Sequence, residues 1–321
     1  MKEEYASGLL SLSWVKNFYI GFDGKKDRTW KIYITHDKCE KPLMEELQGI
    51  FGDKILYFVE FNHVRVASSK NGSSSNFFRG PRSGDQLNVT QRSDGGAISI
   101  ISVGDIRTRE HYAVTCYHVC YMKKLEGSIG QQHQTLKKDC RNDARGCSNA
   151  TYEYTDGDRR KKLGTFYCGL YNEEHDIALV KLENWNCKDA VKYLDEKNVE
   201  KALASREEVF RMFKEMGGSV LVEKIGSDHS EGELFAIDAR PWKNGMNRGS
   251  YGIRNVSSNK DFLVRGDSGS LLCMKCKDGR KVPFAYVSNK DGGAYYCPNL
   301  KESLEALNPE IKPCLGKCGL K

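Results

Sequence analysis

The sequence lacks any long hydrophobic segment. None of its 321 residues fall in a run approaching the roughly eighteen consecutive apolar residues that a membrane-crossing helix needs. The first residues carry Glu3 and Glu4 and no continuous apolar stretch ending in small residues, so they do not have the pattern of a secretory signal peptide. We therefore expect an intracellular, cytoplasmic protein without a membrane partner.

The sequence also lacks a strong charge bias and internal repeats. Its 50 Lys and Arg residues exceed its 43 Asp and Glu residues by only seven, and no zinc-finger or RNA-binding signature accompanies this mild excess. A basic run at residues 159–162 follows Asp156 and Asp158, which favours a solvated hairpin tip over a nucleic-acid patch. Nucleic acid is therefore not an expected partner.

Cysteine is abundant, with twelve residues, but the missing signal pattern argues against structural disulfides. Two close pairs, Cys273 with Cys276 and Cys314 with Cys318, could supply zinc ligands together with Cys297. Their spacing is loose, so reduced and partly buried thiols are the favoured interpretation. We expect neither a metal nor a cofactor.

The first part of the chain, residues 1–66, has the pattern of a small α/β unit. Residues 30–34 alternate as a strand, Pro42 opens an amphipathic helix that ends at Gly52, and residues 55–59 form a second strand. Residues 67–84 are rich in Ser, Gly and Asn, which predicts a linker. Residues 309–321 are assigned as a C-terminal tail.

The remaining region, residues 85–308, consists mainly of short apolar segments separated by turn residues, as in an all-β barrel or sandwich. The predicted strands are residues 97–103, 111–116, 164–169, 177–182, 220–225, 234–237, 262–264, 270–274 and 282–287. Helical spacing of apolar residues predicts a helical insertion over 188–216, ended by Gly217 and Gly218, and a late helix over 300–307.

Three short segments carry the residues for nucleophilic chemistry. Residues 112–119 form an apolar strand that ends at His118, residues 175–182 place Asp176 before an alternating strand, and residues 265–272 place Ser268 in a glycine-flanked turn. Each pattern alone is common in surface turns and strand ends. Their joint occurrence in the order His, Asp, Ser across a β-rich region predicts a catalytic triad.

The chemistry of serine attack on an amide explains these residue types. The pKa of histidine suits it to take the hydroxyl proton of Ser268 near neutral pH. The carboxylate of Asp176 holds the tautomer of His118 and stabilises the imidazolium. Glycine before the serine lets the backbone turn, so that the N–H groups of Gly266 and Ser268 can form an oxyanion hole.

Two other hydrolase classes fit the sequence less well. The α/β-hydrolase nucleophile turn is G-x-S-x-G, but position 270 is Ser, and that class has the triad order Ser, Asp, His. A cysteine protease is excluded because no cysteine stands in the nucleophile turn. Outside enzymes, the alternatives are a catalytically weak or inactive peptide-binding or scaffold module and a nucleic-acid-associated protein.

The segments GDSGS, HDIALVKL and AVTCYHVC resemble the serine, aspartate and histidine motifs of the trypsin/chymotrypsin-like serine proteases. The resemblance covers roughly residues 84–308. It implies two antiparallel, six-stranded-type β-barrels, a serine endopeptidase acting on proteins or peptides, and no cofactor. It further implies that Phe262 lies at the base of a substrate pocket and that Val287 and Ser288 bind substrate beside it.

The chain departs from the family pattern at several positions. Tyr117 replaces the usual small residue before the histidine, and no acidic residue stands six before Ser268, although Asp261 is adjacent. The apolar N-terminus that activates secreted relatives by pairing with the aspartate before the serine has no counterpart before Gly95. We therefore expect Asp267 to be satisfied by a nearby Lys or Arg or by backbone N–H groups, because an unpaired buried carboxylate is costly.

Overall fold

The structure of the protein is a computed structural model. It describes residues 3–23, 29–36, 44–52, 57–61, 81–89, 95–103, 110–120, 151–156, 159–183, 198–226, 230–241, 249–256, 261–291, 294–309 and 311–313. Within these residues no helix combines the length and the apolar character needed to cross a membrane. The pair Cys314 and Cys318, which was considered as a source of zinc ligands, lies outside them.

The described residues form four helices and eighteen strands, mostly short. The helices are α1 (Glu3–Leu10), α2 (Met44–Phe51), α3 (Arg206–Glu215) and α4 (Leu300–Leu307). The strands are β1 (Val15–Asp23), β2 (Thr29–His36), β3 (Tyr57–Phe61), β4 (Gln86–Val89), β5 (Gly95–Ala97), β6 (Ile101–Val103), β7 (His111–Thr115), β8 (Thr151–Asp156), β9 (Arg159–Tyr171), β10 (Asp176–Leu182), β11 (Val220–Lys224), β12 (Ser230–Pro241), β13 (Ser250–Asn255), β14 (Leu271–Lys275), β15 (Lys281–Tyr286), β16 (Asn289–Asp291), β17 (Ala294–Cys297) and β18 (Lys312–Pro313).

The first sheet closes into a ring. Its strand order is β18-β6-β7-β10-β9-β8-β4-β5, with every pairing antiparallel. Strands β5 and β6 belong to one bent segment, residues 95–103, which pairs with β4 at one end and with β7 at the other. Six chain segments therefore surround one core, to which β18 adds a short edge strand.

The second sheet closes in the same way. The order β15-β14-β11-β12 continues through β13 and β17 to β16, again with antiparallel pairs. Strands β15 and β16 are two parts of one segment, residues 281–291, so this ring also has six members. The expected fold class, mainly β with two antiparallel six-stranded-type barrels, is confirmed.

The N-terminal segments extend the second sheet. Strand β1 pairs antiparallel with β12, β2 pairs with β1, and β3 joins β2 in parallel. Helices α1 and α2 cover these strands with a small apolar cluster that includes Leu9, Phe18 and Phe51. The Trp30 ring stacks on Phe210 of α3 with ring centroids 4.7 Å apart, so aromatic packing supplements the strand pairing.

Each barrel has its own apolar core. The first contains Leu87, Val114 and Leu179, and the second contains Val222, Ile253 and Phe284. The side chains of these six residues are at most 1% exposed. Two rigid cores of this kind can hold side chains at fixed positions where the barrels meet.

One predicted strand is wrong, and one predicted helix is observed only in part. Residues 262–264 form no strand, because the Asn255 side chain accepts the Phe262 N–H and holds the segment in a turn. The helix expected over 188–216 is observed only as Arg206–Glu215, since residues 198–204 are not helical and 184–197 lie outside the described residues. Helix α3 begins at a Ser205 capping box, which fixes its start.

Candidate active site

The His118 and Asp176 side chains meet where two neighbouring strands of the first barrel end. Strand β7 ends at Thr115 and leads into a helical turn, residues 117–120, while the adjacent strand β10 begins at Asp176. The His118 Nδ1 lies 2.5 Å from Asp176 Oδ2, and the His118 backbone N–H donates to Oδ1 at 3.0 Å. The carboxylate thereby holds both the ring and the backbone of the histidine.

A third donor completes the surroundings of the Asp176 carboxylate. The Ser288 hydroxyl, from the segment between β15 and β16, donates to Oδ2 at 2.7 Å. Burial alone would raise the pKa of this carboxyl, but the charge and hydrogen bonds of His118 and the bond from Ser288 outweigh it and lower the pKa below 3.8. Asp176 is therefore ionised at neutral pH.

The pKa of His118 shifts in the opposite direction. Burial of the ring lowers it, but the Asp176 charge and hydrogen bond have the larger combined effect and raise the pKa above 6.5. The His118 side chain remains 22% exposed. With Nδ1 facing the carboxylate, the ring directs Nε2 away from Asp176, as a general base requires.

Ser268 lies in a turn between the two barrels. Gly266, at φ +98°, adopts a conformation that favours glycine and reverses the chain before the serine. The Ala97 N–H of the first barrel donates to the Ser268 carbonyl at 2.7 Å. Gly96 lies so close to Val119 and to this carbonyl that a side chain there would collide with both. The turn is thus held next to the segment that carries His118.

No described residue forms a hydrogen bond with the groups of this turn that would react. Among the described residues, the Ser268 hydroxyl has no hydrogen-bond partner, including the His118 ring, and the N–H groups of Gly266 and Ser268 have no acceptor. Catalytic hydrogen bonds are often long in the absence of substrate and tighten when it binds. The structure thus brings His118 and Asp176 into contact and holds the Ser268 turn against Gly96 and Ala97, next to Val119, the residue after His118.

Asp267, next to the serine, has two partners, as expected. Lys224 Nζ donates to Oδ1 at 2.7 Å, and the Val264 N–H donates to Oδ2 at 2.8 Å. The side chains of Lys224 and Asp267 are only 7% and 14% exposed, so this ion pair is nearly buried. Sequence reasoning predicted a basic partner but could not identify Lys224, which lies 43 residues away.

Removing the Lys224 charge should disturb the nucleophile turn. In Lys224→Met, Asp267 keeps the Val264 N–H but loses its cation, and breaking a buried pair costs about 3–5 kcal/mol. We expect the free energy of unfolding to fall by about that amount and acylation of Ser268 to slow at temperatures where the variant is folded. Denaturant titration and labelling by a fluorophosphonate probe measure the two effects.

Lys281→Met is a matched control for this variant. Lys281 Nζ of β15 donates at 2.9 Å to Oε1 of Glu223, which precedes Lys224 in β11. The two side chains are 20% and 10% exposed. Lys281 lies at the end of the β14–β15 pair that is remote from the nucleophile turn, so we expect some loss of stability and unchanged labelling. Equal labelling rates in both variants would contradict the proposed role of Lys224.

The three residues expected to bind substrate have different surroundings. Phe262 is 2% exposed and packs in the second core against Tyr295. Val287 uses its N–H for the Ser270 carbonyl, and its own carbonyl accepts from the Gly269 N–H. Ser288 contacts the Asp176 carboxylate. Roles of these residues in substrate binding stay predictions, and Val287 has no free backbone group for a substrate strand.

Cys116 is the other reactive group near the pair. Its thiol lies with the His118 and Asp176 side chains in a set of potential ligand atoms within 4.8 Å of one another. The thiol donates to the Val287 carbonyl at 3.0 Å, and burial raises its pKa well above 9.0. The carboxylate is already bound by three donors. These bonds favour a neutral thiol over a metal ligand, and we assign no metal here.

Tyr117, the departure from the usual small residue, is accommodated in the first core. Its ring occupies the space beside Gly169, where any side chain would collide with it. It also packs near Tyr171, with ring centroids 5.6 Å apart. A large residue before His118 is therefore compatible with the fold, because a strand opposite it carries glycine.

Solved structures similar to this chain include serine proteases and other proteases. Thermobifida fusca Protease A is 11% identical with a TM-score of 0.39, covering 73% of this chain and 98% of that one. A human pathogenic astrovirus serine protease is 12% identical with a TM-score of 0.33, covering 69% and 93%. Protease Anisep from Arthrobacter nicotinovorans is 11% identical with a TM-score of 0.39, covering 71% and 97%. No protein-family model and no curated protein sequence matches the chain.

Proposed function

We propose that the chain is a serine endopeptidase that hydrolyses peptide bonds through an acyl-enzyme on Ser268. The observation that supports the proposal is the carboxylate–imidazole pair of Asp176 and His118, together with the hydrogen bond from the Ala97 N–H to the carbonyl of Ser268 in its glycine-flanked turn. A histidine whose Nδ1 is held by an ionised carboxylate can accept a proton only at Nε2. That is the chemistry needed to activate a neighbouring hydroxyl.

The proposed reaction follows from these positions. His118 Nε2 takes the Ser268 hydroxyl proton as Oγ bonds to the carbonyl carbon, and the N–H groups of Gly266 and Ser268 stabilise the oxyanion. The imidazolium then gives its proton to the leaving amine as the peptide C–N bond breaks. Water, deprotonated by the same nitrogen, attacks the acyl-enzyme and releases the acid. No cofactor takes part in these steps.

We further propose that the substrate is a protein or peptide and that the enzyme works in a reducing, intracellular compartment. The described cysteines support the second point, because these six form no disulfide with one another: Cys116, Cys120, Cys168, Cys273, Cys276 and Cys297. The Lys224–Asp267 pair supports activity of the uncleaved chain, since it supplies the cation that a newly cleaved N-terminus would otherwise provide.

A fluorophosphonate probe tests the proposal on the full-length chain, confirmed unbroken by mass. We expect one covalent adduct, located at Ser268, and none in His118→Ala. Labelling should increase as the pH rises through the pKa of His118, which lies above 6.5, because only the neutral imidazole accepts the proton. Labelling that requires cleavage between residues 67 and 96 would contradict activity of the uncleaved chain.

The stability of the fold should follow pH differently from labelling. His118 has a raised pKa in the folded state, so its contribution is present at low pH and is lost as pH rises through that value. The contribution of Asp176, whose pKa is lowered, is present at higher pH and lost as pH falls through its folded pKa.

A catalytically weak or inactive peptide-binding module is the second candidate. One observation favours it, namely that the Ser268 hydroxyl makes no hydrogen bond to His118 in the structure. A binding module would bind peptides without forming a His118-dependent adduct with the probe. The same labelling experiment therefore separates the two candidates.

A further inference from the structure

A chain of hydrogen bonds leads from the backbone of Asp176 to the C-terminal helix. The Asp176 N–H donates to the Tyr286 hydroxyl at 3.2 Å, and this hydroxyl donates to Ser303 Oγ of α4 at 3.3 Å. Ser303 Oγ in turn lies 3.0 Å from His175 Nδ1. The chain thus joins β10, β15 and α4, which are far apart in the sequence, directly behind the carboxylate that binds His118.

The groups in this chain are neutral and all but His175 are fully buried, so their hydrogen bonds cannot be replaced by water at low cost. Tyr286 and Ser303 are 1% and 0% exposed. Burial raises the pKa of Tyr286 well above 10.0, so the phenol stays protonated and can donate to Ser303. Burial also lowers the pKa of His175, and the positive charge of Arg206 adds a small lowering effect. The negative charges of Glu174 and Glu302 act to raise the pKa but do not outweigh burial. A neutral His175 can accept the Ser303 hydroxyl proton.

We propose that Tyr286, supported by Ser303, is a positioning residue that fixes the start of β10 and thereby the Asp176 carboxylate against His118. This inference rests on the proposed function of the same site. It gives α4 a role in the active site, although no residue of that helix contacts His118 or Ser268 through a hydrogen bond in the described part of the chain.

Asp176 is held through both its side chain and its backbone. Its carboxylate is bound by His118 of the first barrel and by Ser288, which follows β15 of the second. Its backbone N–H points to Tyr286. Without the phenol, this buried N–H loses its acceptor and the strand end must move to find another. A shift of the carboxylate lengthens the 2.5 Å contact that raises the His118 pKa.

Tyr286→Phe tests the proposal because it removes only the hydroxyl. NMR titration of the His118 ring in the full-length chain measures the imidazole pKa without any substrate. We expect that pKa to fall by roughly half a unit or more. The pH profile of kcat/KM should move with it, and kcat should fall about tenfold with little change in KM, because the base is misplaced while binding is retained.

Tyr251→Phe is the matched control. Tyr251 is also a 1% exposed phenol, and its hydroxyl accepts from Asn299, the N-cap of α4, without reaching Asp176. It should lose stability like Tyr286→Phe and leave the His118 pKa unchanged. Equal His118 pKa values in the two variants would overturn the proposal.

Ser303→Ala provides a second variant in case Tyr286→Phe does not fold. In this variant the Tyr286 hydroxyl still accepts the hydrogen bond from the Asp176 N–H but has lost Ser303 Oγ as its own acceptor. We therefore expect the His118 pKa to fall, by less than in Tyr286→Phe. An unchanged value would overturn the proposal. A shifted pKa in a chain that never labels with the probe would instead contradict the endopeptidase function and leave the positioning role supported.

Discussion

Ser268→Ala should abolish turnover and probe labelling while the fold remains intact. Losing the nucleophile of a catalytic triad lowers kcat by roughly 10⁶-fold. The loss of stability should be small, because the Ser268 hydroxyl makes no hydrogen bond with the described residues and the side chain is only partly buried. Peptide turnover, adduct mass and thermal unfolding of the variant measure these three quantities.

Ser270→Ala is the control for that experiment. Ser270 lies in the same turn and is 2% exposed. Its replacement by alanine removes a hydroxyl, just as Ser268→Ala does. Its backbone carbonyl, which accepts the Val287 N–H, is unaffected by the change. We expect Ser270→Ala to keep its adduct at Ser268. Retained turnover in Ser268→Ala, or loss of labelling only in Ser270→Ala, would show that the nucleophile is assigned wrongly.

Local patterns predicted the strands that carry the site. The alternation after Asp176 and the apolar run before His118 are observed as β10 and β7, because strands buried on one or both faces have such patterns whatever their partners. The prediction that His118 and Asp176 come together rested on the resemblance of their segments to the family's histidine and aspartate motifs. Their 2.5 Å contact depends on the pairing of Ala178 with Thr115, which places the two strand ends side by side.

Contacts between distant segments could not be predicted in this way. Nothing near Lys224 indicates that it pairs with Asp267, and nothing near Tyr286 indicates that it binds the Asp176 backbone 110 residues away. The pairing of β1 with β12 is equally non-local, since an edge strand can accept any extended partner of suitable register. Such contacts are set by the closure of the barrels.

Apolar spacing was also ambiguous over residues 198–216. Val199 and Leu203 fit a helical face, yet they pack against the first core from an irregular, non-helical segment, and Val199 forms a bridge with Lys281. Only from Ser205 onward does a capping box provide the missing N–H acceptors that let a helix begin. Short apolar patterns of this kind do not separate a helix from a packed loop.

Asp176→Asn should lower kcat by roughly 10⁴-fold with a much smaller effect on the fold. The amide of asparagine can donate to His118 Nδ1, which forces the proton onto Nε2 and removes the lone pair that must accept the Ser268 proton. The variant also loses the charge that raises the His118 pKa, so that pKa should fall. Single-turnover kinetics and NMR titration of the imidazole measure the two effects.

Asp261→Asn is a matched control for the charge change. Asp261 lies seven residues before Ser268 in the sequence, its side chain is 15% exposed, and it accepts from Asn255 Nδ2 and Lys290 Nζ rather than from a histidine. It should therefore keep kcat within a few-fold of the original and leave the His118 pKa unchanged. If Asp176→Asn also retained kcat, the tautomer of His118 would not be set by Asp176, and the carboxylate–imidazole pair would have only a structural role. If kcat fell but the imidazole pKa stayed the same, the loss would come from displaced geometry rather than from the altered proton position.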